Sequence, residues 1–299
     1  MKLSKICLGT AQLGMAYGIC NVAGKPSLEE SRTILKTALE NGITTFDTAP
    51  AYGDSEKVLG QCLSEFGQET VLISKLPRLD WRLGPEEIAS QIRGILQASL
   101  ANLVAVRLPI CLFHHLNDMY ARERLAAREL HSLRNKGWVE KIGASIYTPE
   151  EAETCLRNPA CEVIQVPFNA ADKRLLEMEF FSRAKERNKL ILVRSVFLQG
   201  LFFKRDLPAE LLDFEPFRQR IEALAESERM SVVELLLRYA LSFEEIDSVI
   251  IGVDTIDQLL RNIEIVRQGG LPPAVLEKIN ELGTAPEYII DPRQWPKSS

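Results

Sequence analysis

Eight times along this chain a short apolar run is followed by a stretch of helical length, and no other feature restricts the fold as strongly. The runs fall at residues 6–9, 43–47, 71–75, 108–114, 139–143, 163–166, 190–194 and 248–252. Short, apolar and mostly rich in β-branched residues, they read as strands. The intervening stretches carry helix signals. Ser27 can cap a helix over 28–41, with Glu30 as the capping-box acid and Gly42 as its stop. Pro85 suits the first turn of a helix running to Asn102. Further helices are expected at about 56–65, 119–136, from Thr148, at 173–188, twice within 209–241, and at 255–267. Alternation of this kind gives a parallel sheet, and eight repeats close it into a single (β/α)8 TIM barrel. An open doubly wound sheet would want Gly-x-Gly-x-x-Gly after its first strand, and the chain has none. All 299 residues are therefore expected to form one domain, with the barrel at about 5–268. A tail over 271–299, holding Pro286, Tyr288, Pro292, Trp295 and Pro296, is expected as an extended strap over the barrel mouth or as a partly disordered end.

Composition narrows the function classes. An apolar fraction of 46% supplies a large core, and a net charge of −5 argues against nucleic acid as a partner. No apolar run reaches the roughly 18 residues of a membrane span. The first residues lack the apolar core of a secretion signal, so a cytoplasmic protein is expected. Six cysteines without a Cys-x-x-Cys pair read as buried thiols, and three histidines supply too few ligands for a His/Cys zinc site.

The strand ends carry the chemistry. The run 43–47 stops on Asp47, and a turn containing Pro50 and Gly53 then holds Tyr52 just beyond it. The run 71–75 ends on Lys75, and the run from Leu108 ends on the pair His114-His115. The C-terminal ends of parallel strands are where a barrel builds its site. An acid, a phenol, an ammonium and an imidazole at successive strand ends form a catalytic constellation.

These segments resemble the aldo-keto reductase superfamily from Lys5 to about Gln268. The resemblance rests on the Gly9-Thr10 opening, Asp47 with Tyr52-Gly53, Lys75, His114, Ile142-Gly143-Ala144-Ser145, Gln165, and the closing Gly252 and Asn262. It implies reduction of a carbonyl compound with NADP(H) or NAD(H) on a (β/α)8 barrel. Tyr52 would be the general acid, Lys75 would lower its pKa, Asp47 would hold Lys75, and His114 would orient the substrate oxygen. A cation ~4 Å from the phenol at an effective dielectric of ~20 is worth about 4 kcal/mol, or up to roughly three pKa units. Successive strand residues face opposite sides, so only one of His114 and His115 points inward, and the resemblance selects His114.

For the cofactor, the resemblance assigns Gly9, Thr10, Asp47, Ser145 and Gln165 around the nicotinamide. The asparagine that follows the serine in the family is here Ile146. Arg194 takes the place of a tyrosine that stacks on the nicotinamide, and a guanidinium plane can stack likewise. Ser195, Phe197, Gln199 and Gly200 belong to a loop resembling the one under the pyrophosphate. Gly252, Val253, Asp254, Thr255, Gln258 and Asn262 form the remainder. The family's 2′-phosphate arginine position holds Gln258, and Asp254 adds an acid, so weak discrimination between NADH and NADPH is expected. Tyr17, Tyr52, Trp81, His115 and Phe168, with Phe197, are the candidate substrate pocket. The partner is a small aldehyde, ketone or sugar, and the protein is expected as a monomer or weak homo-oligomer. The alternative from another class is a nucleotide-binding sensor or accessory subunit with little turnover.

Overall fold

The computed structural model describes residues 1–21 and 24–295. Eight parallel strands close into a barrel in chain order. They are β1 (Ile6–Gly9), β2 (Thr45–Asp47), β3 (Val71–Leu76), β4 (Leu108–Phe113), β5 (Val139–Ser145), β6 (Val163–Pro167), β7 (Leu190–Arg194) and β8 (Ser248–Gly252). Pairing of β1 with both β2 and β8 closes the ring, with Gly9 level with Asp47 on one side and Gly252 on the other.

Side chains alternate across each strand. One parity fills the barrel interior with Cys7, Ile73, Ile110, Leu112, Val163, Leu192 and Ile250. The other parity, including Leu8, Phe46, Cys111, Ile164 and Val249, packs outward against the helices in a larger cluster. The interior is tight: a Cβ added at Gly143 would lie 1.9 Å from the Val163 carbonyl oxygen.

Several helices carry the caps expected of them. Ser27 and Glu30 form a reciprocal capping box on Leu28–Glu40, and Gly42 follows with φ 80°. Thr148 and Glu151 do the same for Pro149–Arg157, and Thr255 caps Ile256–Arg267.

Three expectations need correction. The stretch 173–188 holds two short helices, Arg174–Glu177 and Phe180–Glu186, because Glu179 between them has φ 53°. The helix after β4 begins at Leu116, and Ala121–Arg124 leaves helical geometry before it continues to Asn135. The tail is mostly helical rather than extended: Pro273–Glu281, Glu287–Ile290 and a single turn at Pro292–Gln294 follow the barrel. Lys173 anchors it by donating to the carbonyls of Ile279 and Gly283, at 2.5 and 2.7 Å. Trp295 closes it by donating to the Ile289 carbonyl. Pro296 lies outside the described residues.

Candidate active site

Asp47 shares the interior parity of Thr45, and Lys75 that of Ile73, so both point into the barrel at its C-terminal end. The Lys75 ammonium is buried and donates to both Asp47 carboxylate oxygens at 2.8 Å and to the Thr48 carbonyl at 2.9 Å. Gln165, on the interior parity of β6, donates its amide to Asp47 Oδ1 at 2.7 Å. An ion pair withdrawn from water needs such further bonds to hold its geometry.

Tyr52 reaches the same point from a loop that must approach the start of the barrel closely. Gly14 and Gly53 meet back to back: a Cβ on Gly14 would sit 1.8 Å from the Tyr52 carbonyl oxygen, and Gly53 has φ 58°. Beneath the loop a buried hydroxyl cluster ties it down. Thr10 donates to the Asp47 carbonyl, Ser55 donates to the Thr10 carbonyl, and Thr48 and Ser55 are 2.9 Å apart. Thr10 thus lines the cavity with its hydroxyl committed to the scaffold.

The Lys75 ammonium lies 4.9 Å from the centre of the Tyr52 ring, and the His114 ring stands edge-on to Tyr52 with centroids 6.1 Å apart. The interior parity of Ile110 and Leu112 continues to His114. His115 follows at the start of the helix Leu116–Asn135, with its ring 5.5 Å from that of His114.

Electrostatics set the protonation states. Burial raises the Tyr52 pKa and outweighs the lowering by Lys75. This corrects the expected net depression: the Asp47 carboxylate beside Lys75 offsets much of the cation. Burial also works against the Lys75 charge, but Asp47 and Tyr52 hold that ammonium above its usual range. Burial, helped by Lys75, His115 and Arg194, pushes His114 down to about 3. The site at neutral pH is a protonated phenol, a charged lysine and a neutral imidazole.

A cavity of about 550 Å³ opens from this point. Its catalytic end is lined by Tyr52, His114, Asp47, Ser145, Gln165 and Tyr17, whose phenol burial raises to about 12. Further along lie Gly9, Thr10, Arg194, Ser195, Phe197, Gln199 and Gly200. The far end is lined by Gly252, Asp254, Gln258, Arg261 and Asn262. A Cβ on Gly252 would fall 2.3 Å from the Gln12 amide nitrogen, so a side chain there would displace the Gln12 amide. The loop after β1 crosses this region. Asn21 donates to Asp254 at 3.0 Å, and the Ile19 amide donates to the Gln199 carbonyl.

Five expected lining residues stand elsewhere. Phe168 carries the outward parity of Val166 and is fully buried among Phe181, Tyr239 and Phe243. Trp81 donates its indole N–H to Asp118 at 2.6 Å, with Arg122 above its ring, on the side of the helix after β4. His115 is outside the cavity lining, although its ring stands 5.5 Å from that of His114. Val253 has the outward parity of Ile251 and joins the outer core. The Thr255 hydroxyl is spent on the helix cap. Conversely, Tyr147, Pro292 and Arg293 line the cavity without having been expected there. The Pro149 helix start behind Tyr147 was readable; the tail was expected over the mouth, and Pro292 and Arg293 reach it there, but as a helical rather than an extended segment.

The profile of the Aldo/keto reductase family matches residues 5–284, and the chain belongs to that family. It is an oxidoreductase of that fold. D-arabinose 1-dehydrogenase of Saccharomyces cerevisiae is 26% identical over 90% of this chain and 85% of its own. Aldo-keto reductase YhdN of Bacillus subtilis is also 26% identical, over 67% of this chain; the match spans 60% of that relative's length. Among solved structures, the holo form of aldo-keto reductase AKR11C1 from Bacillus halodurans superposes with a TM-score of 0.76 at 21% identity. That match covers 98% of this chain and 96% of the other. Glycerol dehydrogenase AKR11B4 from Gluconobacter oxydans gives 0.73 at 23%, covering 94% and 91%.

Proposed function

We propose that the protein reduces the carbonyl group of a small aldehyde, ketone or sugar with NADPH or NADH. The observation that carries this reading is the buried Lys75–Asp47 pair set against a protonated Tyr52 at the floor of the cavity. The relatives named for D-arabinose and glycerol support a hydroxylated substrate, as does L-galactose dehydrogenase of Arabidopsis thaliana, 22% identical over 99% of this chain.

The lining fits a nicotinamide dinucleotide. Ser145 and Gln165 offer a hydroxyl and an amide oxygen beside Tyr52, where a carboxamide would need partners. Gly200, with φ 96°, keeps a backbone turn at the cavity wall that any side chain would strain. Asn262, Gln258, Arg261 and Asp254 would take the far end of the cofactor, and Arg194 the nicotinamide side. The bound nicotinamide supplies the hydride.

The protein's own groups handle the proton and the geometry. Tyr52 gives its phenolic proton to the substrate oxygen. Lys75 stabilises the phenolate that remains, and Asp47 keeps the ammonium aimed at it. His114, neutral, donates a hydrogen bond to the same oxygen and fixes the carbonyl against Tyr52. Gln165 restrains Asp47. Burial keeps bulk water from competing for that oxygen.

A panel of aldehydes and aldoses, followed by oxidation of NADPH and NADH, tests the reading. Turnover of at least one class is expected, alongside cofactor binding seen as a change in reduced-nicotinamide fluorescence. Tight cofactor binding without turnover of any carbonyl would replace the enzyme by a nucleotide sensor.

A further inference from the structure

Two guanidinium groups line the cavity against Tyr147, Arg194 on the side given to the nicotinamide and Arg293 from the tail, and the proposed carbonyl chemistry uses the charge of neither. Arg194 lies over the Tyr147 ring with Cζ 4.3 Å from its centre, and Arg293 lies 3.8 Å from the same centre. One aromatic ring therefore holds two like charges close together beside the cavity. Among the described residues Arg194 bonds only neutral partners, the Ile146 carbonyl at 2.9 Å and the Ser195 hydroxyl at 3.1 Å. These fix its plane without compensating its charge. Arg293 comes from the turn Pro292–Gln294 of the tail, where Asp291 engages Nε and Nη2 in a fork; Nη1 is outside that fork. The acids nearest the site are already hydrogen-bonded. Asp47 holds Lys75, Asp291 holds Arg293, and Glu151 accepts the backbone N–H of Tyr147 at 2.6 Å.

A chain with a net charge of −5 has thus gathered cationic groups at one mouth, and Arg293 is brought there by an element outside the barrel repeat. Among the described residues, the uncompensated Arg194 charge and the free Nη1 of Arg293 leave donors for an anion at the cavity. Planar guanidinium groups match carboxylate and phosphate oxygens better than any neutral hydroxyl.

We infer that the physiological carbonyl substrate carries an anionic group, a carboxylate or a phosphate, held at the cavity mouth by Arg293 and Arg194 across Tyr147. The inference rests on the carbonyl-reductase reading and adds the class of substrate. Arg293 is a specificity residue here, remote from the transferred proton.

Matched pairs of carbonyl compounds test it: succinic semialdehyde against butyraldehyde, and glyceraldehyde 3-phosphate against glyceraldehyde. At least one charged member should exceed its neutral partner in kcat/KM by about tenfold or more, and added salt should shrink the gap. Arg293→Met should remove most of the advantage through KM while neutral aldehydes change by no more than about twofold, and Arg293→Lys should restore part of it. Whichever pair shows the larger gap identifies carboxylate or phosphate as the anion. Equal rates within both pairs, or an Arg293→Met variant that loses neutral and charged substrates alike, would overturn the inference. Calorimetric binding of succinate and of inorganic phosphate gives a second readout without turnover. The wild type should bind at least one of them, and Arg293→Met should bind it about tenfold more weakly. Identical binding by both proteins would overturn the inference. Absence of turnover with every aldehyde would remove the reductase reading, and the binding arm would still decide whether the mouth takes an anion.

Discussion

At the catalytic end of the cavity the charged and polar groups stand on strand ends and are bonded to one another: Asp47 with Lys75 and Gln165, all within 2.8 Å. At the other end the lining comes from loops, where Asn21 reaches Asp254 and a backbone contact joins Ile19 to Gln199. The first arrangement is set by the closed sheet, whose parity leaves each side chain one direction to face. The second depends on connections that can lengthen or shift without disturbing the barrel. Chemistry is thus built on the rigid part of the fold, and recognition on the adjustable part.

Breaking the strand-end network should have the largest consequence. Lys75→Met removes the partner of the phenol and leaves Asp47 as a buried charge without its cation. Turnover should fall by roughly 10²–10⁴. Stability measured by denaturant unfolding should drop by about 3–5 kcal/mol, the usual cost of removing one member of a buried pair. A variant that unfolds at the wild-type midpoint would mean that the pair is dispensable to the fold.

The loop-built end should show a smaller and softer effect. Asp254 lines the region where a 2′-phosphate would approach, and Gln258 spends its carbonyl oxygen on the Asp254 amide at 2.7 Å. A carboxylate there favours a ribose hydroxyl over a phosphate, while Arg261 in the same lining favours the phosphate. NADH and NADPH should therefore be used within about tenfold of one another, a difference of ~1.4 kcal/mol. Steady-state kcat/KM with one aldehyde measures it, and a preference near a thousandfold for NADPH would make Arg261 dominant over Asp254.

The smallest effect concerns pH. The folded pKa of His114 is about 3, below the ordinary 6.5, so its imidazole is neutral throughout the range near neutrality. Burial holds the Tyr52 phenol above its ordinary range, so it stays protonated in the same range. Loss of the donor form at high pH and protonation of His114 at low pH both fall outside about pH 5–8, so kcat/KM for reduction should be flat there. A step near pH 6.5 would mean that His114 titrates as an exposed histidine.

The same division decided what could be read from the chain alone. Asp47, Lys75 and His114 were visible because each ends a short apolar run, Gln165 because it is the polar residue within one, and the period of two in a strand gives each its inward direction. That period also sends Phe168 and Val253 outward, an inference available from Val166 and Ile251 had it been extended past the strand ends. The kink at Glu179 was not legible, since nothing local to a Met-Glu-Phe sequence demands φ 53°. Arg293 and Tyr147 meet because the tail returns to the mouth; the strap was expected, but the residue it would bring there was not. The acidity of Tyr52 was misjudged for a similar reason: the cation near it was foreseen, but burial of the phenol and the offsetting carboxylate act together only in the folded site.

The proton donated by Tyr52 is the centre of the proposed chemistry, and Tyr52→Phe removes that proton while retaining the ring. Comparison of the two proteins in kcat for NADPH-dependent reduction of the best aldehyde, with cofactor affinity measured in parallel, tests it most directly. The expected result is a loss of roughly 10²–10⁴ in kcat with cofactor affinity changed by no more than about threefold. A Tyr52→Phe enzyme that kept more than about a tenth of the wild-type rate would contradict the assignment of Tyr52 as the acid.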